Sequence, residues 1–158
     1  MKVTIRRAEF EDIGAINDLL FQVAQIHAAA RPDIFKGGTK KHTDDELKAI
    51  ILDDETPIYV ALDGNARVVG YAFCIYKRIK DSNLLCDSDT LYIDDLCVDE
   101  SARGQHVGKA LYEYVTAVAR DTGCSRVTLN VWAFNESAAR FYEKCGMKPL
   151  KTEMEYIL

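Results

Sequence analysis

The residues that invite chemistry first lie between Val98 and Ala110, in the run Val-Asp-Glu-Ser-Ala-Arg-Gly-Gln-His-Val-Gly-Lys-Ala. This segment leaves a strand pattern, crosses a turn containing glycine and enters an amphipathic helix. The first N–H groups of a helix have no internal partners, and the helix dipole adds partial positive charge there. Such an end takes an anion, above all a diphosphate. Gly104 and Gly108 let backbone amides approach a ligand with no Cβ between them. Arg103 and Lys109 add charge on either side. The turn is not a nucleotide P-loop, which needs four residues between its glycines and Ser or Thr after its lysine. Here Gln105, His106 and Val107 separate the two glycines, and Ala110 follows Lys109. The dinucleotide fingerprint G-x-G-x-x-G is also absent, and the turn lies too late for an opening β-α-β unit.

Other side chains could serve an acceptor. Asp94 and Asp95 are adjacent on a strand, so they are expected on opposite faces, with at most one towards a bound acceptor. His27 and Arg31 lie one helical turn apart near the end of a first helix. They either contact an acidic substrate group or complement the helix C-terminus. His106 either helps neutralise phosphates or is simply solvated. Five cysteines, none in a C-x-x-C pair, give no disulfide framework and no zinc site, and read as reduced buried thiols. Cys97 and Cys145 are nucleophiles only in principle, since nothing places a base beside either.

The elements that must position these residues follow from periodicity and punctuation. Val3 to Arg7 reads as a strand. Ile13, Ile16, Leu20 and Val23 mark one stripe of a helix that Arg31-Pro32 should end. Gly37-Gly38 gives a loop, and Thr43-Asp44-Asp45-Glu46 fits a capping box opening a helix to about Asp53. Strands are expected from Pro57 to Leu62 and from Arg67 to Lys80, with a turn at Asp63-Gly64, and a further strand from Leu91 to Val98. Val107, Leu111, Tyr114 and Val118 mark a third helix ending near Gly123. Arg126 to Trp132 reads as a strand, and Asn135 can cap a fourth helix bearing Ala138, Phe141, Tyr142 and Cys145, with Gly146 at its end. Lys151 to Leu158 is expected to close the chain as a strand. The order β-α-α-β-β-β-α-β-α-β predicts a mixed central sheet flanked by helices.

At 158 residues, 48% of them hydrophobic, the chain suits a single domain, residues 1–158, with one core. No apolar run is long enough to span a bilayer, and the charged start is unlike a signal peptide, so a cytoplasmic location is expected. A net charge of −5 argues against nonspecific nucleic-acid binding and mildly favours a cationic partner.

Two segments carry a family resemblance. Gln105-His106-Val107-Gly108-Lys109-Ala110 matches the pattern Q/R-x-x-G-x-G/A, and Asn135 to Met147 is similar to N-x-x-A-x-x-F-Y-x-x-x-G-F. Tyr92 to Val98 looks like the accompanying strand. In this order the sequence resembles the GNAT superfamily of acyl-CoA-dependent N-acetyltransferases, well over residues 57 to 150 and by order of elements alone before that. The resemblance implies an α/β (α+β) fold, a mixed central sheet of six to seven strands flanked by four helices, and acetyl-CoA as co-substrate. It implies that the backbone of Leu96, Cys97 and Val98 pairs with the pantetheine arm. Amides of Arg103, Gly104, Gln105, His106, Val107, Gly108 and Lys109 would hold the pyrophosphate. Asn135 would touch the arm, and the Tyr142 hydroxyl would protonate the departing thiolate. Ile93 to Val98 is similar to the acid-acid segment of polyamine acetyltransferases, which makes Asp94 the base or amine anchor. His27 and Arg31 would fall in the acceptor wall. Homodimers are common in the family.

The chemistry calls for such groups. A primary amine of pKa about 10.4 is mostly protonated at pH 7, at a cost of about 4–5 kcal/mol to attack. A carboxylate can take that proton, directly or through water. A strand amide can stabilise the charge developing on the thioester oxygen, and no metal is required. The expected acceptor is a small polyamine-like or amino metabolite. A protein N-terminus or lysine is the alternative, and a noncatalytic acyl-CoA sensor is an alternative of another class.

Overall fold

The computed structural model describes all of residues 1–158. Its elements are β1 (Thr4–Arg7), α1 (Ile13–Ala30), α2 (Asp44–Leu52), β2 (Ile58–Leu62), β3 (Val68–Ile79), β4 (Ser88–Val98), α3 (Val107–Asp121), β5 (Arg126–Leu129) and α4 (Glu136–Lys144). The sheet runs β1-β2-β3-β4-β5, antiparallel until the final β4–β5 pair, which is parallel.

The local signals act as their chemistry demands. α1 stops just before Arg31, because Pro32 turns the preceding backbone out of the helical region. At the start of α2, Thr43 Oγ1 accepts from the Glu46 amide at 3.2 Å and Glu46 Oε2 accepts from the Thr43 amide at 2.8 Å, a reciprocal cap. The β2–β3 connection is broader than a two-residue turn. Asp63 Oδ1 collects the amides of Asn65 and Arg67, and Ala66, not Gly64, takes the positive φ.

Two cores sandwich the sheet. On one face α3 sets Val107, Leu111, Val115 and Ala119 against Val69, Leu91 and Ile93. On the other, α1 and α2 set Ile16, Leu19, Leu20 and Leu47 against Ile58, Val60, Tyr71 and Phe73. Gly70 is where backbone and helix meet most closely: a Cβ there would stand 2.9 Å from the Cys97 carbonyl oxygen and 3.1 Å from Leu111.

Three expectations are corrected. The sheet has five strands, not six to seven. β5 ends at Leu129, short of Trp132, because the sheet opens beyond that point. Lys151 to Leu158 forms no strand: from Lys148 onward no backbone hydrogen bond is made, and Met154 and Tyr156 are 85% and 88% exposed. A strand needs a paired backbone and a covered face, and within one chain this segment has neither. Its fixed point is Arg31, whose guanidinium grips Glu155 at 2.7 and 3.1 Å.

Candidate active site

The turn between β4 and α3 is built to leave amides unpaired. The Asp99 carboxylate accepts from the Ser101 amide at 2.9 Å and starts a single tight turn over Glu100–Ala102. Gly104 and His106 then take φ of +73° and +67°. Alternation into the left-handed region turns successive N–H groups towards one concavity, the geometry of an anion nest. None of the six amides from Gly104 to Lys109 donates to an acceptor of the chain, and the first α3 bond is from Ala110 to the His106 carbonyl at 3.0 Å. Side chains hold the loop rather than fill it. Gln105 Nε2 donates to the Ser101 carbonyl at 3.1 Å, while Arg103, His106 and Lys109 are exposed at the rim. A diphosphate fits this set of donors.

Beside the turn, the sheet splits. β4 pairs with β5 only through Thr90–Ile93 against Arg126–Leu129, whereas Leu96, Cys97 and Val98 pair with β3 alone. The Asp99 amide donates to the Val69 carbonyl at 2.9 Å. By strand alternation Cys97 also points its backbone at β3, and Leu96 and Val98 present theirs to the open edge. Arg103 Nε already reaches the Val98 carbonyl from that side, at 3.2 Å. The edge therefore offers alternate amides to an extended chain laid into the split. The Cys97 thiol is buried, its pKa pushed up to about 12 first by burial and then by the Asp95 charge, and Cys74 is held similarly by burial. Neither is a nucleophile at neutral pH.

The two aspartates stand where the split begins, and not on opposite faces. A bulge shifts the β3–β4 register between Phe73–Asp95 and Cys74–Ile93, leaving Asp94 as the extra residue. Both carboxylates then lie on the α1–α2 side. Asp94 Oδ2 meets Lys41 Nζ at 2.5 Å, and Asp95 Oδ2 accepts from the Tyr71 hydroxyl at 2.7 Å. Burial, reinforced by Asp94, raises the Asp95 pKa against the opposing pull of Tyr71, Lys41 and His27. His42 stacks on Phe73 at 5.6 Å between ring centroids, and burial, then the Lys41 charge, lowers its pKa, favouring the neutral imidazole. Lys41, His42 and Tyr71 were not legible as site residues. The one signal was the basic run Lys40-Lys41-His42 just after the glycine loop.

α4 closes the other side. Asn135 Oδ1 caps it by accepting from the Ala138 amide at 3.2 Å, and Nδ2 remains without a partner in the chain. Tyr142 sits half-buried beside Phe141 and Tyr112, and its hydroxyl makes no hydrogen bond within the chain. Burial first, and then the Asp95 charge, drive its pKa well above 10, so the phenol keeps its proton at any working pH. Phe141 faces Val98 across Gly108; a Cβ on Gly108 would lie 3.6 Å from each.

His27, in the last turn of α1, and Arg31, just past its end, part company. Arg31 is bound by Asp33, at 2.9 and 2.7 Å, and by Glu155, so its guanidinium is engaged at the helix end. His27 joins an aromatic group, 4.9 Å from Phe35 and 5.9 Å from Phe134, which continues to Trp132. A surface groove of about 440 Å³ between α3 and α4, lined by Lys109, Tyr112, Arg120 and Cys145, lies apart from the aspartates.

Known proteins resemble this chain along most of its length. Residues 22–147 match the family described as acetyltransferase (GNAT). The thialysine N-epsilon-acetyltransferase of Bos taurus is 30% identical, over 97% of this chain and 88% of its own. The peptidyl-lysine N-acetyltransferase YjaB of Salmonella typhimurium is 25% identical over 94% of this chain and 85% of its own. The crystal structure of a tetramutant of the BH1408 protein from Bacillus halodurans superposes with a TM-score of 0.94 at 28% identity, covering 98% of this chain and 99% of that one.

Proposed function

The chain belongs to the GNAT family of acetyltransferases and is an acetyl-CoA-dependent N-acetyltransferase, and on that premise we propose that it acetylates a small aliphatic amine held by Asp94 and Asp95. The six unpaired amides from Gly104 to Lys109 carry the reading, because free N–H groups where a turn enters a helix suit a diphosphate. Arg103 and Lys109 add charge at the rim, and His106 stands exposed beside them. Leu96 and Val98 receive the pantetheine arm, and Asn135 Nδ2 reaches it from the cap of α4. Acetyl-CoA, when bound, supplies the activated acetyl thioester. The chain's own residues do the rest. Asp94 anchors the acceptor ammonium and takes its proton, directly or through water. Asp95 adds negative charge on the same side, and the Tyr142 hydroxyl donates to the leaving sulfur.

A compact cationic acceptor is supported by the paired carboxylates and by a relative that acts on thialysine. A peptide lysine is the second reading, supported by the peptidyl-lysine relative and by the half-open wall of His27, Phe35, Trp132 and Phe134. The protein acts as one domain, in the cytoplasm, where its five thiols stay reduced. It pairs as a homodimer through the apolar tail after Lys151, which finds no cover in its own chain.

Calorimetry with acetyl-CoA, followed by CoA release over thialysine, lysine, linear diamines, glucosamine 6-phosphate and a lysine peptide, tests the assignment. Binding with turnover on the diamines or thialysine is expected. Turnover confined to the peptide would select the second reading. Binding with no turnover on any amine would leave an acyl-CoA sensor, and an intact fold giving no heat would refute the cradle.

A further inference from the structure

We infer that Lys41 is an acetylation site of the enzyme itself, occupying the acceptor position when no external amine is present; this rests on the reading of Asp94 as the amine anchor. The Lys41 ammonium does what an acceptor would have to do. Its Nζ stands 2.5 Å from Asp94 Oδ2, at the bulge where β4 leaves β5 and the split in the sheet begins. The loop is pinned on both sides of it. Lys40 Nζ binds Asn17 Oδ1 at 2.5 Å and Asp44 Oδ1 at 2.9 Å, tying the loop to α1 and α2, and His42 stacks on Phe73 of β3. The Lys41 side chain is still 47% exposed, so it is neither sealed away from a thioester nor free to wander from one.

The step balances without a further reactant. The ammonium gives one proton to Asp94, which passes it to solvent. The nitrogen lone pair then attacks the acetyl carbonyl, forming the C–N bond as the C–S bond breaks. The sulfur leaves as thiol with a proton from Tyr142 or water, and the second proton shed by the nitrogen as the amide forms passes through water to restore that donor. The product has lost the positive charge that faced Asp94, so the carboxylate becomes available to an external ammonium.

The test is peptide mass spectrometry of the folded protein incubated with acetyl-CoA and no acceptor, comparing Lys41 with Lys48, which is 53% exposed on α2. Lys41 is expected to gain an acetyl group at least tenfold faster than Lys48, at a rate that saturates with acetyl-CoA and falls when a diamine or thialysine is added. Equal labelling of the two, or labelling linear in acetyl-CoA, would overturn the inference. CoA release with the amine panel is measured in parallel, so that turnover there without Lys41 labelling rejects the inference and spares the function, whereas silence in both rejects the function. A second readout needs no cofactor. After reductive methylation with labelled formaldehyde, Asp94→Asn should shift the NMR signal of Lys41 and leave Lys48 in place; an unmoved Lys41 signal removes the ion pair on which the inference stands.

Discussion

The Tyr71 hydroxyl donates to Asp95 Oδ2 at 2.7 Å from the strand alongside, and that bond fixes a carboxylate which burial makes reluctant to ionise. The folded-state pKa of Asp95 lies above its ordinary 3.8, so the folded chain binds this proton more tightly than the unfolded chain does. The contribution of this group to stability is present in full below 3.8 and is lost as pH rises through the folded value. At neutral pH Asp95 is therefore a net liability to the fold. Asp95→Asn, which keeps an acceptor for Tyr71, should raise stability at pH 7 and remove that pH dependence, while lowering turnover. Thermal unfolding at pH 4 and pH 7, beside CoA-release kinetics, measures both; a loss of stability at pH 7 would contradict it.

Tyr142→Phe removes one oxygen from a side chain whose hydroxyl has no hydrogen bond in the chain. Its effect should fall on transfer, by about 10²-fold or more in kcat, with acetyl-CoA affinity nearly unchanged in calorimetry. Because burial raises the phenol pKa above 10, the wild-type rate should show no alkaline loss attributable to this group up to pH 10. Equal rates for the two proteins across that range would exclude Tyr142 as the proton donor.

Gly70 and Gly108 separate folding from binding. Gly70→Ala drives a methyl to 2.9 Å from the backbone oxygen of Cys97, so it should destabilise the fold by about 1–3 kcal/mol. Gly108→Ala makes only ordinary 3.6 Å contacts with Phe141 and Val98, yet it narrows the gap where the arm enters. It should leave the unfolding midpoint in place and weaken acetyl-CoA binding roughly tenfold, or about 1.4 kcal/mol. Denaturant melts and calorimetry on both variants decide the matter.

Far from the site, Arg6 clasps the nearly buried Asp12 at 2.6 and 3.0 Å, fastening β1 to the entry of α1. Burial works to raise the Asp12 pKa, but the Arg6 hydrogen bond and the Glu9 amide win and hold it below 3.8. The stability this adds is present above 3.8 and is lost as pH falls through the folded value. Arg6→Ala strands the carboxylate and should cost about 3 kcal/mol, seen in urea melts at pH 7 and shrinking in acid. A cost independent of pH would show that packing, not charge, is what Arg6 supplies.

Truncation after Leu150 removes Met154, Tyr156 and Leu158, which cover nothing in their own chain. The shortened protein should sediment as a monomer, against a dimer for the full chain, while the sheet signal in circular dichroism persists. An unchanged sedimentation coefficient, corrected for mass, would count against the tail as the dimer contact.

Local chemistry made much of this protein readable as a sequence. The cap at Thr43, the stop at Pro32 and the turn around Gly104 each depend on residues within a few positions of one another, and each stands where it was expected, whereas the buried stripe of α3 runs Val107, Leu111, Val115 and Ala119, with the expected Tyr114 and Val118 only partly buried at its edge. The run of unpaired amides was legible for that reason, being the end of one helix and the loop before it. What joins distant segments was not. The bulge at Asp94 arises from the pairing of β4 with β3, and by adding one residue it moves Asp95 to the side where Asp94 already lies, which simple alternation forbids. Lys41 stands 53 positions from Asp94 in the chain, and no periodicity connects them. The segment after Lys151 alternates as a strand should, but alternation states only a capacity to pair. Whether a backbone finds a partner depends on which edge lies within reach, and only the packed fold decides that.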